Sequence, residues 1–243
     1  MDMSFYTGAV GASQSQKKLD VVSNNLANVE TTGYKAKHAE FSELVQYNLH
    51  APEDEKTKIQ AGAGGIVSKT GTNFHTSSFT ETGRKLDFSI GTDNTFFMLQ
   101  DSAGNITYTR DGSFHAGQQA DGTFALMSTG GKYVLDENGQ KITGQSEEDL
   151  VNDADQIGLC ELPYPSRLEN TGDNEYAVRT GDTLNTPRAA KERNLTQGYL
   201  ESSGTDVARE MVDMIEAQRS FSYAVRMVQT SDEVASTINS LRG

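Results

Sequence analysis

The chain has 243 residues, which leaves room for one or two domains. Its formal net charge of −13 argues against a nucleic-acid-binding surface, because such a surface needs clustered lysine and arginine. Cys160 is the single cysteine, so the chain has no internal disulfide framework and no metal site built from several thiolates.

The first predicted element is an amphipathic helix within residues 1–33. Apolar residues recur there every seven positions, which is the repeat of a helix that packs along another helix. This seam consists of Phe5, Ala12, Leu19, Val22, Leu26 and Val29. Thr31, Thr32 and Gly33 then form a turn cluster that ends the helix.

The start of the chain has no basic region followed by an apolar run, so we expect no cleaved secretory signal. Apolar runs along the whole sequence are also too short to predict a membrane-spanning helix.

Residues 34–75 are predicted to be a mixed connector. Phe41, Leu44 and Val45 favour a helical continuation at its start. The charged stretch 52–58 and the glycine-rich stretch 61–65 favour an extended or flexible segment.

The periodicity changes to that of β-strands in residues 76–187. Leu86, Phe88 and Ile90 alternate with polar neighbours, and 96–99 is a short apolar run. Further strands are predicted at 106–108, near 114, and at 124–127, 133–135 and 157–162. Hairpin turns are predicted at 121–122, 130–131 and 138–139. The segment 145–156 carries five carboxylates and is interpreted as a solvated excursion from a compact antiparallel β domain.

A return connector, 188–204, leads into a long C-terminal helix within 205–243. Thr205 and Asp206 can cap its start. Its apolar residues follow one another at steps of three, four or their sums, which places one stripe on one helix face. This second seam consists of Val207, Met211, Met214, Phe221, Val225, Val228, Val234, Ile238 and Leu241.

A helix of about 55 Å with so narrow a stripe needs a partner helix to bury it. One such helix could pack on a globular core, but one at each end of the chain favours helices that pair or assemble. The predicted fold class is therefore α+β. Long N- and C-terminal helices form a coiled-coil-like pair, and a central antiparallel all-β domain lies between them in sequence.

The sequence predicts no catalytic residue, cofactor site or metal site. His38, His50, His75 and His115 are far apart and lack metal-ligand spacing. Cys160 falls in a predicted strand and is interpreted as an inert buried thiol. Gly62, Gly64 and Gly65 lack the residues of a phosphate-binding loop, and 136–139 lacks the ligand spacing of a calcium loop. We therefore predict no enzyme, no cofactor and no small-molecule substrate.

One short motif resembles the N-terminal signature of the bacterial flagellar rod and hook protein family. The motif runs from 24 to 35, and its diagnostic residues are Asn24, Asn25, Leu26, Ala27, Asn28, Thr31, Gly33 and Tyr34. Similar stretches follow in family order at 82–87, 108–114, 197–203 and in the last helix at 210–219. The modest middle region is similar to that of a rod protein, proximal or distal, rather than to the larger hook protein.

The resemblance implies a structural axial subunit of the flagellar basal-body rod that polymerises through its terminal helices. It also implies partners: copies of the chain, other rod and hook subunits, and the flagellar type III export apparatus. Export would proceed without a cleaved signal peptide, and the β domain would make lateral contacts. The alternative is a monomeric β-domain module that binds glycan or protein on a helical stalk.

Overall fold

The structure is a computed structural model that describes residues 3–43, 47–48, 60–61, 64–152 and 156–242. The chain divides into two compact units. Unit 1 comprises Met1–Ala27, Lys37–Gly71 and Asp206–Gly243, and unit 2 comprises Asn28–Ala36 and Thr72–Thr205. The described residues contain three α-helices: α1 (Met3–Ala27), α2 (Glu147–Asn152) and α3 (Val207–Arg242).

In its described residues, unit 1 consists of α1, α3 and four strands. The strands are β1 (Lys37–Glu43), β2 (Tyr47–Asn48), β3 (Gln60–Ala61) and β4 (Gly65–Thr72). β1 pairs with β4, and β2 pairs antiparallel with β3. The predicted helical continuation after residue 34 is therefore wrong at Phe41, which lies in β1, while Leu44 and Val45 fall outside the described residues.

The predicted long terminal helices are confirmed. α3 begins as the sequence indicates, because Asp206 Oδ1 accepts the backbone N–H groups of Ala208 and Arg209 at 3.1 and 3.2 Å. α1 ends at Ala27, earlier than the predicted boundary at 33, and residues 28–36 belong to unit 2.

Unit 2 contains the remaining strands. They are β5 (Phe79–Glu81), β6 (Phe88–Ile90), β7 (Thr95–Gln100), β8 (Ile106–Thr109), β9 (Phe114–Gln118), β10 (Phe124–Ser128), β11 (Tyr133–Val134), β12 (Thr143–Gly144), β13 (Leu159–Glu161), β14 (Glu169–Gly172), β15 (Glu175–Ala177), β16 (Arg188–Ala189), β17 (Leu195–Gln197) and β18 (Tyr199–Glu201). β7 to β16 form a ten-stranded sheet whose main path is β12-β10-β11-β7-β8-β15-β14. The predicted antiparallel β domain is confirmed, because the strand pairs of this sheet run antiparallel.

β7 is the central strand of unit 2, and it is buried on both faces. Phe97 and Leu99 point into one hydrophobic cluster, while Phe96 points into another that includes Tyr176 and Cys160. Successive side chains of a strand alternate between faces, so the apolar run at 96–99 supplies both clusters. This explains why the run is continuous rather than alternating.

The acidic segment 145–156 differs from its prediction as a solvated excursion. Residues 147–152 form α2, and the Leu150 side chain is completely buried in the larger hydrophobic cluster. Asp149 Oδ2 accepts the backbone N–H of Ser146 at 3.0 Å and thereby holds the start of the helix. The three carboxylates of α2, from Glu147, Glu148 and Asp149, are exposed, and the next residue in the chain, Leu150, is a buried anchor.

Candidate assembly site

The two terminal helices lie against each other with opposite chain directions. The Ser4 hydroxyl lies 2.9 Å from the Ser231 hydroxyl, and Lys18 Nζ lies 2.8 Å from Asp213 Oδ1. Residue numbers rise along α1 as they fall along α3 at these contacts. The helix pair is therefore antiparallel.

One stripe of α3 is withdrawn from solvent in this pair. Its members are buried or half-buried and follow one another at alternating steps of four and three. They are Glu210, Met214, Ala217, Phe221, Ala224, Val228 and Ser231. This alternation keeps a stripe on one face of a helix, so the stripe is the part of α3 that unit 1 covers.

Glycines on α1 allow a close approach to α3. A Cβ atom built on Gly8 would lie 2.9 Å from Val228 Cγ2 and 3.2 Å from the Ala224 carbonyl oxygen. At Gly11 the same atom would lie 3.7 Å from Ala224 Cβ, an ordinary contact distance. The helices therefore meet most tightly around Gly8.

The predicted seams divide between covered and exposed positions. Val22 is buried, and seven further seam residues of the two helices are half-buried: Ala12, Leu19, Leu26, Met214, Phe221, Val225 and Val228. Val29, which lies beyond α1 in unit 2, is half-buried as well. The exposed seam residues are Phe5, Val207, Met211, Val234, Ile238 and Leu241. The seams therefore mix residues that the helix pair covers with residues that it leaves in solvent.

The C-terminal part of α3 extends past the described part of α1. Ser4 contacts Ser231, and α3 continues for eleven more residues to Arg242. The side chains from 232 to 241 are all exposed, among them Val234, Ile238 and Leu241 at 50%, 49% and 82%. We call residues 232–242 the overhang.

Asn25 of the family-like motif holds two other elements of unit 1. Its side-chain amide donates to the Lys37 carbonyl at 2.7 Å and accepts the Lys37 N–H at 2.8 Å. It also donates to Glu210 Oε1 at 2.9 Å. Burial raises the pKa of the Glu210 carboxyl, and the Asn25 bond opposes that shift. The completely buried Asn25 thus joins α1 to the starts of β1 and α3.

The rest of the motif lies in unit 2, where residues 28–36 form a segment that we call the strap. Ser203 Oγ donates to the Asn28 carbonyl at 2.9 Å. The Gly33 N–H donates to the Glu201 carbonyl at 2.7 Å, and the Gly204 N–H donates to the Tyr34 carbonyl at 2.8 Å. The strap is therefore bonded along its length to the chain that precedes α3.

Gly33 is required at its position by both conformation and space. Its φ of 63° lies in the left-handed region, and a Cβ atom there would meet the Arg110 backbone carbon at 2.6 Å. The strap thus passes directly over the backbone at Arg110.

A buried ionic cluster fixes the strap, and we call it the clasp: Lys35, Arg110 and Glu201. Glu201 Oε1 accepts from Lys35 Nζ at 2.6 Å, and Glu201 Oε2 accepts from Arg110 Nε at 2.8 Å. All three side chains are at most 1% exposed. Burial lowers the pKa of Lys35, and the neighbouring Arg110 charge adds to this effect, whereas Glu201 opposes it.

Arg110 uses its remaining donors on Thr76 and on the chain from the end of β6 to the start of β7. Nη1 donates to the carbonyls of Thr92 and Thr95, both at 2.7 Å. Nη2 donates to the Ile90 carbonyl at 3.0 Å and to Thr76 Oγ1 at 3.1 Å. With the bond to Glu201, all five guanidinium N–H groups have acceptors, which makes a buried arginine tolerable.

The clasp residues occur in stretches whose sequence resembles the family, but the sequence predicts no role for them. A charged residue is rarely buried without a partner, and the three residues are far apart in sequence. No local sequence pattern predicts that these three side chains lie together. The other motif residues lie in varied surroundings: Tyr34 is buried, Leu26, Asn28 and Thr31 are half-buried, and Asn24 and Ala27 are exposed.

The residues described by the structure include no group of three or more potential metal ligands. His75 Nδ1 lies 3.2 Å from Asp93 Oδ2 at the surface, and Cys160 is buried in a hydrophobic cluster. His50 falls outside the described residues.

The described helices include none that is both long and apolar enough to cross a bilayer.

Both ends of the chain match known protein families. Residues 5–35 match the family described as "Flagella basal body rod protein", and residues 196–241 match "Flagellar basal body rod FlgEFG protein C-terminal". These ranges include α1 from Phe5 onward, the strap except its last residue, and nearly all of α3.

Relatives match almost from end to end. A flagellar basal-body rod protein FlgG of Borreliella burgdorferi is 31% identical and covers 100% of this chain and 99% of its own. FlgG of Bacillus subtilis is 30% identical, with 98% of both chains covered. A flagellar hook-basal body complex protein FlhP of Bacillus subtilis is 28% identical over 98% of this chain and 99% of its own. This chain therefore belongs to the flagellar basal-body rod protein family and is a structural subunit of the flagellar basal body.

Proposed function

We propose that this subunit polymerises into the rod through its terminal helices. The observation that carries the proposal is the exposed apolar surface of α3, and above all its overhang. α1 and α3 would form a coiled-coil-like pair in each subunit, and the uncovered residues of α3 would pack against other copies and other rod or hook subunits.

The overhang supplies the first part of this surface. Its eleven residues are about 16 Å long at 1.5 Å per residue. Val234, Ile238 and Leu241 recur there at steps of four and three. A stripe with this spacing suits packing along another helix, which a neighbouring subunit can provide.

The exposed surface continues along the paired part of α3. Met211, Ile215, Tyr223 and Met227 are each between 44% and 67% exposed. They lie away from the covered stripe, so the helix carries apolar residues on a second side. Extended exposed apolar surface marks interaction sites, and a helix with two such sides can contact a partner on each.

The occupant we propose is a second subunit of the same type. A surface on one copy that contacts a different surface on the next makes a heterologous contact, and repetition of such a contact generates an open helical filament. The rod named in the relatives' descriptions would be an assembly of this class. Seam residues on α1 that remain exposed, such as Phe5, would contribute to the same contacts.

Two finer proposals rest on the family resemblance. The chain would reach the basal body through the flagellar export apparatus without cleavage of a signal peptide. The distal ends of α1 and α3 would be partly disordered in the free subunit and would order on assembly, because burial against neighbours offsets an ordering cost of about 1–2 kcal/mol per residue.

The test is the pair of variants Ile238→Asp and Asn239→Asp. Each adds one carboxylate to the overhang, but the first removes an apolar side chain that is half exposed in the free subunit, whereas Asn239 is polar and exposed. We expect Ile238→Asp to block concentration-dependent polymerisation in sedimentation velocity experiments. Asn239→Asp should polymerise as wild type does, and both should keep the wild-type circular dichroism spectrum.

If Ile238→Asp polymerises at the same concentration as the wild-type chain, the overhang is not part of the assembly surface. A wild-type chain that stays monomeric at every concentration would instead favour a β-domain binding module on a helical stalk.

A further inference from the structure

We propose that the clasp makes the pairing of α1 and α3 depend on a folded unit 2. The inference concerns the free subunit and does not require polymerisation. It starts from the position of the clasp, which joins the strap after α1 to the segment before α3. Lys35 belongs to the first, Glu201 to the second, and Arg110 to the β domain.

The clasp and a neighbouring hydrogen bond close a very long loop. Asn28 and Ser203 are 175 positions apart in sequence, yet Ser203 Oγ donates to the Asn28 carbonyl at 2.9 Å. Asn28 follows the last residue of α1 directly, and Ser203 precedes the first residue of α3 by four positions. Unit 2 therefore delivers the two points from which the helices depart already close together.

Loop closure gives the size of the effect. For a flexible loop the probability that its ends meet falls as about the 3/2 power of its length, so 175 residues lower it by roughly a thousandfold. A closed clasp removes this loss, because only a few residues then tether each helix. The clasp therefore raises the local concentration at which α1 and α3 meet.

The gain in local concentration is largest next to the clasp and decreases along each helix. Each further residue adds length and conformational freedom between a helix residue and the helix end that unit 2 holds. We therefore expect amide protection to be greatest in residues 17–27 and 207–217, and least in the overhang. This gradient is compatible with distal ends that order only on assembly.

Lys35→Met is the variant that tests the clasp. The methionine fills most of the volume of the buried lysine stem and leaves Glu201 and Arg110 as a neutral pair, so unit 2 keeps a balanced charge. Only the two bonds of Lys35 Nζ are lost, to Glu201 Oε1 and to the His75 carbonyl, while the backbone bond from Gly33 to Glu201 remains. Lys132→Met is the matched control, because Lys132 pairs with the buried Glu175 elsewhere in unit 2.

Hydrogen exchange on the dilute full-length chain is the measurement. We expect Lys35→Met to speed exchange of the helix amides at 17–27 and 207–217 by about tenfold, while the amides of β7 and β8 change by less than about threefold. Lys132→Met should do the reverse and affect mainly β7, β8 and their neighbours. This difference separates a role in helix pairing from a general loss of stability.

Three results would overturn the inference. They are unprotected helices in the wild-type chain, wild-type helix rates in Lys35→Met, and equal acceleration of helices and β7. If Lys35→Met fails to fold, Ser203→Ala gives the second test. This variant removes only the Ser203 hydroxyl, which donates to the Asn28 carbonyl and also contacts the Thr205 hydroxyl just before α3. It should also speed helix exchange selectively, and unchanged helix rates would refute the proposal that helix pairing depends on the bonds that hold the two helix starts together in unit 2.

Discussion

Replacing a glycine of α1 by alanine should have opposite effects at two positions three residues apart. Alanine is favoured over glycine in a helix interior by about 0.8–1.0 kcal/mol, so Gly11→Ala, whose new Cβ meets Ala224 Cβ at 3.7 Å, should stabilise the helix pair by about that amount. At Gly8 the new Cβ would lie 2.9 Å from Val228 Cγ2 and 3.2 Å from a backbone carbonyl oxygen. The valine side chain can turn, but the carbonyl belongs to α3 and can move only with its helix.

Overpacking of this kind costs about 1–3 kcal/mol, which offsets or exceeds the gain in helix propensity at Gly8. We therefore expect Gly8→Ala to be neutral or to destabilise the pair by up to about 2 kcal/mol. Amide exchange in α1 is a suitable assay, because 1 kcal/mol changes the open population about fivefold. Slower exchange in Gly11→Ala and unchanged or faster exchange in Gly8→Ala is the expected pattern. Equal slowing in both variants would show that the helices do not approach closely at Gly8.

Two further predictions concern titratable groups in unit 2. Hydrogen bonds from the Thr76 side chain and backbone lower the pKa of Asp93 to about 2, so its contribution to stability is present above the usual carboxyl pKa and is lost as pH falls from about 4 to 2. Denaturation midpoints measured through that range should fall less steeply in Asp93→Asn, and an equally steep fall would exclude Asp93 as a source of acid sensitivity. Burial raises the pKa of the Cys160 thiol to about 11. Iodoacetamide at pH 8 should therefore modify Cys160 in denaturant and leave it largely unmodified in the folded chain. Rapid labelling of the folded chain would contradict the burial of Cys160.

Much of the fold follows from local patterns. Hairpin glycines such as Gly122, Gly131 and Gly139 have the positive φ values that their turns predict. The run at 96–99 is identified as a buried strand because its side chains are apolar on both faces. The sequence does not predict α2, because the five carboxylates of segment 145–156 make it look solvated. Its structure depends on Leu150, whose side chain is buried in the hydrophobic core.

Periodicity identified the terminal helices but could not say which side of α3 meets α1. Apolar residues occupy two sides of this helix, and the covered stripe includes Glu210 and Ser231, which a search for apolar residues passes over. Glu210 is accommodated there because Asn25 donates to it. Gly8 lets the two helices approach closely, and a glycine carries almost no hydrophobic signal in the sequence.

The sequence by itself determined two long terminal helices, an antiparallel β region between them, and membership of a structural family. Each of these depends on neighbours in the chain, through helical spacing, strand alternation and short motifs. The tertiary structure alone decided that Lys35, Arg110 and Glu201 meet, and that α3 leaves apolar residues uncovered beyond α1. Both depend on residues brought together from positions far apart, where the desolvation cost of a charge or an apolar side chain is set by partners that no local pattern contains.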